Sequence, residues 1–373
     1  MMRENIRVLI AEDSPFIRRL IASYLTPDAG FTVVGEAGDG IQAVDVVHRL
    51  QPDVITLDLE MPEMDGLEAL RTIMQTLPTP VVAISGVSGN AATRTLQALD
   101  IGAVDFVLKF TPGVAMDTES LAREIVTKTR LAAGIQVVRL LDRTREAPPR
   151  KAPQAVKTEA AAHAGMLPGI VVIGASTGGP MALRELLGEL PAAFRPPIVI
   201  VQHIPAFFTS VLAAQLNRHC QLLVREAEEG EILAPGVVYV APGGLHLLLQ
   251  TGFRICLQKG QEQPGEHCPS IDVTMESAAR LFGARITGAL LSGMGVDGAA
   301  GLLSIRRNGG HTYAQDEATC VVFGMPKRAI ELGAVMKVDS PAGIGAALAR
   351  GFLAEELAAA RAIGASGGEH ARN

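Results

Sequence analysis

Five residues in the first third of the chain have the types needed to receive a phosphoryl group. Asp58 ends the apolar run Val54-Ile55-Thr56-Leu57, and Glu12 and Asp13 follow the run Ile6–Ile10. In a parallel sheet with helical connections, such positions project at the carboxyl edge, where these folds bind ligands. Three carboxylates converging there repel one another unless a hard cation lies among them, and all-oxygen ligands suit Mg²⁺. Ser85 ends a fourth run and Lys109 follows a fifth, adding a hydroxyl and an ammonium to the same rim. A nucleophilic carboxylate beside Mg²⁺ and a lysine can accept a phosphoryl group, because the cations stabilise charge on the transferring oxygens. One acid at a strand end is normally a solvated loop residue. The recurrence of a fitting residue type at four strand ends carries the reading.

A second constellation lies after residue 170. Gly174-Ala175-Ser176-Thr177-Gly178-Gly179-Pro180 joins an apolar run to a segment that Pro180 would start well as a helix. Glycines flanking the serine allow tight backbone angles and leave its hydroxyl above a helix N-terminus, where free N–H groups favour negative charge. A plain helix cap is one alternative. A dinucleotide cradle is another, but the G-x-G-x-x-G spacing is missing and Gln202-His203 stands where a ribose-binding acid is expected; a P-loop lysine is also absent. His203 follows the run Ile198–Val201, and Asp297 follows Ala289–Leu291 through the turn Ser292-Gly293-Met294-Gly295. Three parallel strands would deliver Ser176, His203 and Asp297 to one sheet edge. A serine hydroxyl is a poor nucleophile until an imidazole takes its proton, and the imidazole needs a carboxylate to fix its tautomer. The order Ser, His, Asp is not that of the α/β-hydrolases, and there is no G-x-S-x-G elbow. His163, His219, His246, His267 and His311 are read as structural, with His246 and His267 the two expected to line the cleft.

The elements that position these residues follow from hydrophobic periodicity. Residues 1–130 alternate the apolar runs Ile6–Ile10, Thr32–Gly35, Val54–Leu57, Val81–Ile84 and Val104–Leu108 with amphipathic stretches. In the first of these, Phe16, Ile17, Leu20, Ile21, Tyr24 and Leu25 share a face behind a Ser14 cap and Pro15. Residues 131–168 are read as a linker, whose proline-bearing later part lacks apolar periodicity. A second module, 169–373, places strands at Ile170–Ile173, Ile198–Val201, Leu222–Val224, Val237–Val240, Leu245–Leu249 and Ala289–Leu291. Its helices are expected at Met181–Leu190, Phe208–Arg218, Val273–Phe282, Gly298–Arg307 and in the Ala-rich tail. Hairpin-like stretches around Gly243-Gly244 and Thr251-Gly252 suggest an antiparallel portion. Both modules thus read as α/β, doubly wound parallel sheets.

Composition narrows the function classes. The chain has 373 residues, 48% apolar and 19% charged, with 39 glycines and no tryptophan, as expected of a folded globular protein. Its net charge of −6 is uneven: −7 over residues 1–130, +3 over 131–168 and −2 over 169–373. No basic stripe marks a nucleic-acid surface. No apolar stretch is long enough to insert into a membrane, and the opening residues do not read as a signal peptide. Cys220, Cys256, Cys268 and Cys320 show no zinc spacing. A reduced, cytoplasmic protein without a structural metal is the expectation, and a monomer.

Two resemblances sharpen this. Asp58-Leu59-Glu60-Met61-Pro62-Glu63-Met64-Asp65-Gly66 resembles the signature of response-regulator receiver domains, which are flavodoxin-like. The resemblance implies Asp58 as phosphoacceptor, Glu12 and Asp13 as fellow metal ligands, and Ser85, Phe106 and Lys109 as switch residues. Where that family usually has proline after the lysine, this chain has Phe110. Residues 170–350 resemble the Rossmann-like catalytic domain of the chemotaxis protein-glutamate methylesterases. The matching motifs are Gly174–Gly179, Val201-Gln-His-Ile-Pro205, Ala241-Pro-Gly-Gly244, Pro269-Ser-Ile-Asp272, Ser292–Gly298 and Ala314-Gln-Asp-Glu317. That resemblance implies a phosphorylation-controlled serine esterase for glutamate γ-methyl esters on chemoreceptors, with glutaminase activity as well. It implies Thr177 and Met294 N–H groups as an oxyanion hole and a chemotaxis histidine kinase as phosphoryl donor. The competing classes are a receiver joined to a non-catalytic binding module and a receiver joined to a nucleotide-dependent enzyme.

Overall fold

The computed structural model describes residues 5–86, 90–109, 118–135, 167, 169–260 and 267–352. Phe110, nearly all of the expected linker and the tail beyond 352 lie outside these. The chain divides into two compact units, Met1–Glu146 and Ala147–Asn373.

The first unit alternates strands and helices: β1 (Ile6–Ala11), α1 (Pro15–Tyr24), β2 (Phe31–Ala37), α2 (Gly40–Leu50), β3 (Val54–Asp58), α3 (Gly66–Thr76), β4 (Val81–Ser85), α4 (Ala91–Ile101), β5 (Asp105–Leu108) and α5 (Thr118–Ala133). The sheet order is β2-β1-β3-β4-β5, and every pair is parallel. β3 and β4 are buried along their whole length, which is why they read as continuous apolar runs rather than alternating ones. Ser14 caps α1, its side chain accepting from Ile17 N, with Pro15 in the first turn as expected. Asp65 caps α3 by accepting from Glu68 N. A Cβ on the next residue, Gly66, would lie 2.0 Å from the Asp58 carbonyl oxygen. The Asp-Gly pair that closes the receiver-like string therefore lets the chain turn tightly behind Asp58. Helix α5 runs to Ala133, with Ala132 fully buried, three residues into the segment read as linker.

The second unit contains β6 (Ile170–Ala175), α6 (Gly179–Gly188), β7 (Ile198–Gln202), α7 (Ala206–His219), β8 (Leu223–Glu226), β9 (Val237–Val240), β10 (Leu245–Gln250), β11 (Arg254–Lys259), α8 (Ile271–Phe282), β12 (Ile286–Leu290), α9 (Ala299–Arg307), β13 (His311–Gln315), α10 (Met325–Glu331) and β14 (Lys337–Asp339). Seven parallel strands lie in the order β14-β13-β12-β6-β7-β9-β8, while β10 and β11 form a separate antiparallel pair. The turn at Thr251-Gly252 is the expected hairpin. Gly243-Gly244 is not one: it leads from the main sheet to β10, and β9 and β10 do not pair. The strands β11, β13 and β14 and helix α10 are additions to the sequence reading. The chain runs from β6 to β7, out to the edge strand β8, back to β9 between them, and after the β10–β11 pair crosses to β12 on the other side of β6. The switch point between β6 and β12 is where doubly wound sheets form their ligand crevice.

Candidate active site

Ser176 and Asp297 flank that switch point, and His203 stands beside Ser176. Parallel register pairs Ala175 with Gln202, so Ser176 and His203 are the next residues off neighbouring strands. Backbone bonds fix both: Ser176 N donates to Ser292 O at 3.0 Å, and His203 N donates to Ala175 O at 3.0 Å. Gly293 covers the serine, since a Cβ there would come 2.7 Å from Ser176 Cβ and 2.3 Å from Met325 Sδ. Met294 and Val296 follow on the same loop and are exposed.

His203 Nε2 lies 2.8 Å from Asp297 Oδ2. His203 Nδ1 is buried and has no hydrogen-bond partner. Paired with a carboxylate acceptor, Nε2 carries the proton, which leaves the Nδ1 lone pair available. No hydrogen bond joins Nδ1 to Ser176 Oγ in this state, a contact that in unliganded hydrolases commonly tightens only with substrate. The His267 ring stacks on His203 with centroids 4.0 Å apart and planes 20° off parallel, as expected of a cleft residue. His246 Nδ1 accepts from Ser270 N at 3.1 Å.

Asp297 is held by a donor shell that the sequence did not announce. Besides His203, it accepts from Ser270 Oγ, Ile271 N, Asp272 N and Gly298 N at 2.8–3.0 Å. Ile271 and Asp272 open α8 behind the Ser270 cap, so the carboxylate sits on a helix N-terminus. Burial alone would push its pKa up, but the bonds from His203 and the α8 amides prevail and hold it down at about 2. Neighbouring Asp272 shows the opposite: burial, then the charges of Asp297 and Glu276, raise its pKa to about 6. The sequence signal for this shell was the string Pro269-Ser-Ile-Asp272, which read as a family motif without a mechanism.

Buried polar groups hold the Ser176 turn. Gln202 Nε2 donates to Ser176 O at 2.9 Å and to His203 O at 3.2 Å. Ser292, fully buried, donates from Oγ to Thr177 O at 2.8 Å and accepts from Val322 N at 2.9 Å. Its own N–H donates to Gln315 Oε1 at 2.7 Å. Gly178 adopts φ +78° under Val321, whose Cβ would lie 2.5 Å from a side chain at that position, so glycine is required there on both counts.

The first unit brings its expected residues together as a second centre. Lys109 Nζ lies 2.6 Å from Asp58 Oδ2 and 2.9 Å from Glu12 Oε2. Asp58 Oδ1 also accepts from Glu60 N at 3.1 Å. Burial followed by the Asp58 charge raises the Glu12 pKa to about 7 against the pull of Lys109, and burial likewise raises that of Asp58. Oxygens of Glu12, Asp13 and Asp58 lie within 4.8 Å of one another, and buried Glu12 Oε2 lacks an aligned hydrogen-bond donor. An all-carboxylate set balanced by one ammonium fits a hard divalent cation such as Mg²⁺. Ser85, buried at the end of β4, accepts from Thr95 Oγ1 of α4 at 2.7 Å, a link that was not foreseen. Phe106 is buried, with Lys128 Nζ 5.0 Å from its ring centroid and 2.6 Å from its carbonyl oxygen. Among the described residues no helix is long and apolar enough to cross a membrane.

Comparison with known proteins finds a match for each part of the chain. The response regulator receiver domain model matches residues 8–119, and the CheB methylesterase model matches residues 171–348. A protein-glutamate methylesterase/protein-glutamine glutaminase of Syntrophotalea carbinolica is 41% identical over 348 residues, covering 91% of this chain and 97% of its own. The chain belongs to the CheB methylesterase family. A relative of the same description from Archaeoglobus fulgidus is 43% identical over 339 residues, covering 89% of this chain and 94% of its own. The crystal structure of the Thermotoga maritima CheB methylesterase catalytic domain is 42% identical, with a TM-score of 0.47, and covers 49% of this chain and 97% of that one. As in this family, a receiver domain precedes a hydrolase domain, and both are α/β.

Proposed function

We propose that the protein hydrolyses glutamate γ-methyl esters on chemoreceptors through Ser176, His203 and Asp297. The reading is carried by the His203–Asp297 hydrogen bond, which leaves Nδ1 without a partner on a residue that follows the strand next to the one Ser176 follows. His203 Nδ1 takes the Ser176 proton as Oγ attacks the ester carbonyl, and then gives it to the departing methoxide, releasing methanol. Water, deprotonated by the same nitrogen, cleaves the acyl-enzyme, returning Ser176 and leaving glutamate. With a glutamine substrate the same acyl-enzyme forms and ammonia leaves. Asp297 stays ionised throughout and stabilises the imidazolium. Thr177 and Met294 N–H groups bind the oxyanion. Methanol release from methylated receptor membranes tests this: Ser176→Ala should abolish it, and unchanged release would remove the esterase assignment.

In the same reading Asp58 receives a phosphoryl group from a phosphohistidine on the chemotaxis sensor kinase. Glu12, Asp13 and Asp58 hold Mg²⁺, which when bound neutralises charge on the transferring oxygens. Lys109 already supplies one cation to that pocket, and Ser85 and Phe106 respond to the added phosphoryl oxygens. The enzyme acts as a monomer in the cytoplasm, where that kinase domain and the receptor tails meet it. Asp58→Asn should leave basal esterase activity intact and remove its stimulation by phosphodonor.

A further inference from the structure

The geometry points to Gln202 as a positioning residue that aims the Thr177 N–H at the substrate oxyanion; this rests on the reading of Ser176 as nucleophile. Gln202 ends β7 and is 2% exposed. Its Nε2 donates to Ser176 O at 2.9 Å, and the same oxygen accepts from Gly179 N at 2.8 Å. The Ser176 carbonyl and the Thr177 N–H belong to one planar trans peptide unit and point in opposite directions. Two donors pulling on the carbonyl therefore fix the direction of the N–H. The second bond, from Nε2 to His203 O at 3.2 Å, ties the base to the same amide. One side chain thus sets the relative placement of nucleophile, base and oxyanion donor.

Two features indicate that the amide is kept for its N–H₂ group. Gln202 Oε1 is buried without a partner, an arrangement that disfavours folding. A Cβ on Gly179 would approach that oxygen to 2.0 Å, so the chain also forgoes a side chain at the start of α6 to accommodate it. The other oxyanion donor repeats the device with backbone alone. The carbonyl of Gly293, in the peptide that carries the Met294 N–H, accepts from Gly324 N at 3.1 Å and Met325 N at 2.9 Å.

The test uses the full-length protein with three variants. Gln202→Met keeps length without an N–H, Gln202→Asn keeps the amide one methylene short, and Gly179→Ala pushes on Oε1. For a glutamyl methyl ester peptide, kcat should fall about tenfold to hundredfold with KM unchanged. Affinity for a phosphonate mimic of the tetrahedral intermediate should fall by the same factor, while affinity for the glutamate product peptide holds. A kcat within twofold of wild type in any folded variant overturns the proposal. So does a parallel loss of product affinity and kcat, or failure of all three variants to fold, since each makes Gln202 a purely structural residue. Ser176→Ala is run alongside: turnover by that variant removes the serine mechanism itself, an outcome separate from a Gln202 variant that retains kcat.

Discussion

Asp297→Asn isolates what the carboxylate does, because the substitution keeps the shape and reverses half of the hydrogen-bond polarity. If the amide oxygen takes the Oδ1 position it keeps Ser270 Oγ, Asp272 N and Gly298 N. The amide N–H₂ then faces Ile271 N and His203 Nε2, both of which donate to Oδ2 in the parent at 2.8 Å. The imidazole can answer only by moving its proton to Nδ1 so that Nε2 accepts. That occupies the lone pair meant for Ser176, and the wrong tautomer in a serine triad typically costs about 10⁴ in kcat. Stability falls as well. A carboxyl taken from 3.8 to about 2 on folding adds about 2 kcal/mol at neutral pH. Leaving the Ile271 N–H unpaired costs about 1–3 kcal/mol. The depressed pKa fixes the sign in the parent: this contribution is complete above about pH 4 and disappears as pH falls through about 2. Methanol-release kcat, thermal melts across pH 2–7 and ¹⁵N shifts of the His203 ring read all three consequences. A folded variant with kcat within tenfold of wild type, or with Nε2 still protonated, would refute the reasoning.

Other outcomes follow from the same geometry. Asp272→Asn should preserve activity and raise thermal stability at pH 8 but not at pH 4, because the parent carboxyl, with its pKa raised to about 6, is uncharged at the lower pH; paired melts check it. Gly293→Ala should lower kcat at least tenfold, since its methyl would displace the Ser176 side chain or Met325; esterase assays on the folded variant check it. Lys109→Met should abolish phosphodonor-stimulated activity and lower the stability of the first unit, leaving Asp58 and Glu12 buried without their cation; phosphorylation assays and melts read both. Thr95→Val should leave basal esterase activity unchanged and alter its stimulation, because it removes the hydroxyl that engages Ser85 from α4; activity with and without phosphodonor distinguishes the two.

Much of this was legible because parallel strands announce themselves twice. Val54–Leu57, Ile170–Ile173 and Ile198–Val201 are buried on both faces, so they stand out as unbroken apolar runs, and the first one to three residues after such a run reach the ligand edge. Ser176, His203, Asp58 and Lys109 became candidates by that rule, Ser176 with the help of its glycine-rich turn. It failed where the strand is polar. β13, His-Thr-Tyr-Ala-Gln, buries Thr312 and Gln315, and its inward polar groups serve backbone atoms of neighbouring segments rather than forming a greasy face. β14 has three residues on the sheet edge, too short to register as a pattern. The donor shell of Asp297 escaped for a different reason. Its principal members are main-chain N–H groups, which every non-proline residue carries, so no residue type marks them.

The two centres show how one edge geometry yields opposite carboxylates. At the first, Glu12 and Asp58 crowd together, receive few backbone donors and rely on one ammonium, so burial lifts both pKa values. An acid cluster in that condition gains from any added cation and can exchange its interactions when a phosphoryl group arrives, which suits a switch. At the second, Asp297 has its oxygens saturated by fixed amides, a hydroxyl and an imidazole, so its charge is retained despite burial. A carboxylate held in that way does not reorganise when its neighbour becomes positive, which is the condition for stabilising an imidazolium without taking its proton. The distinction lies in the donors: chiefly one lysine side chain at one centre, and the backbone amides at the start of α8 at the other.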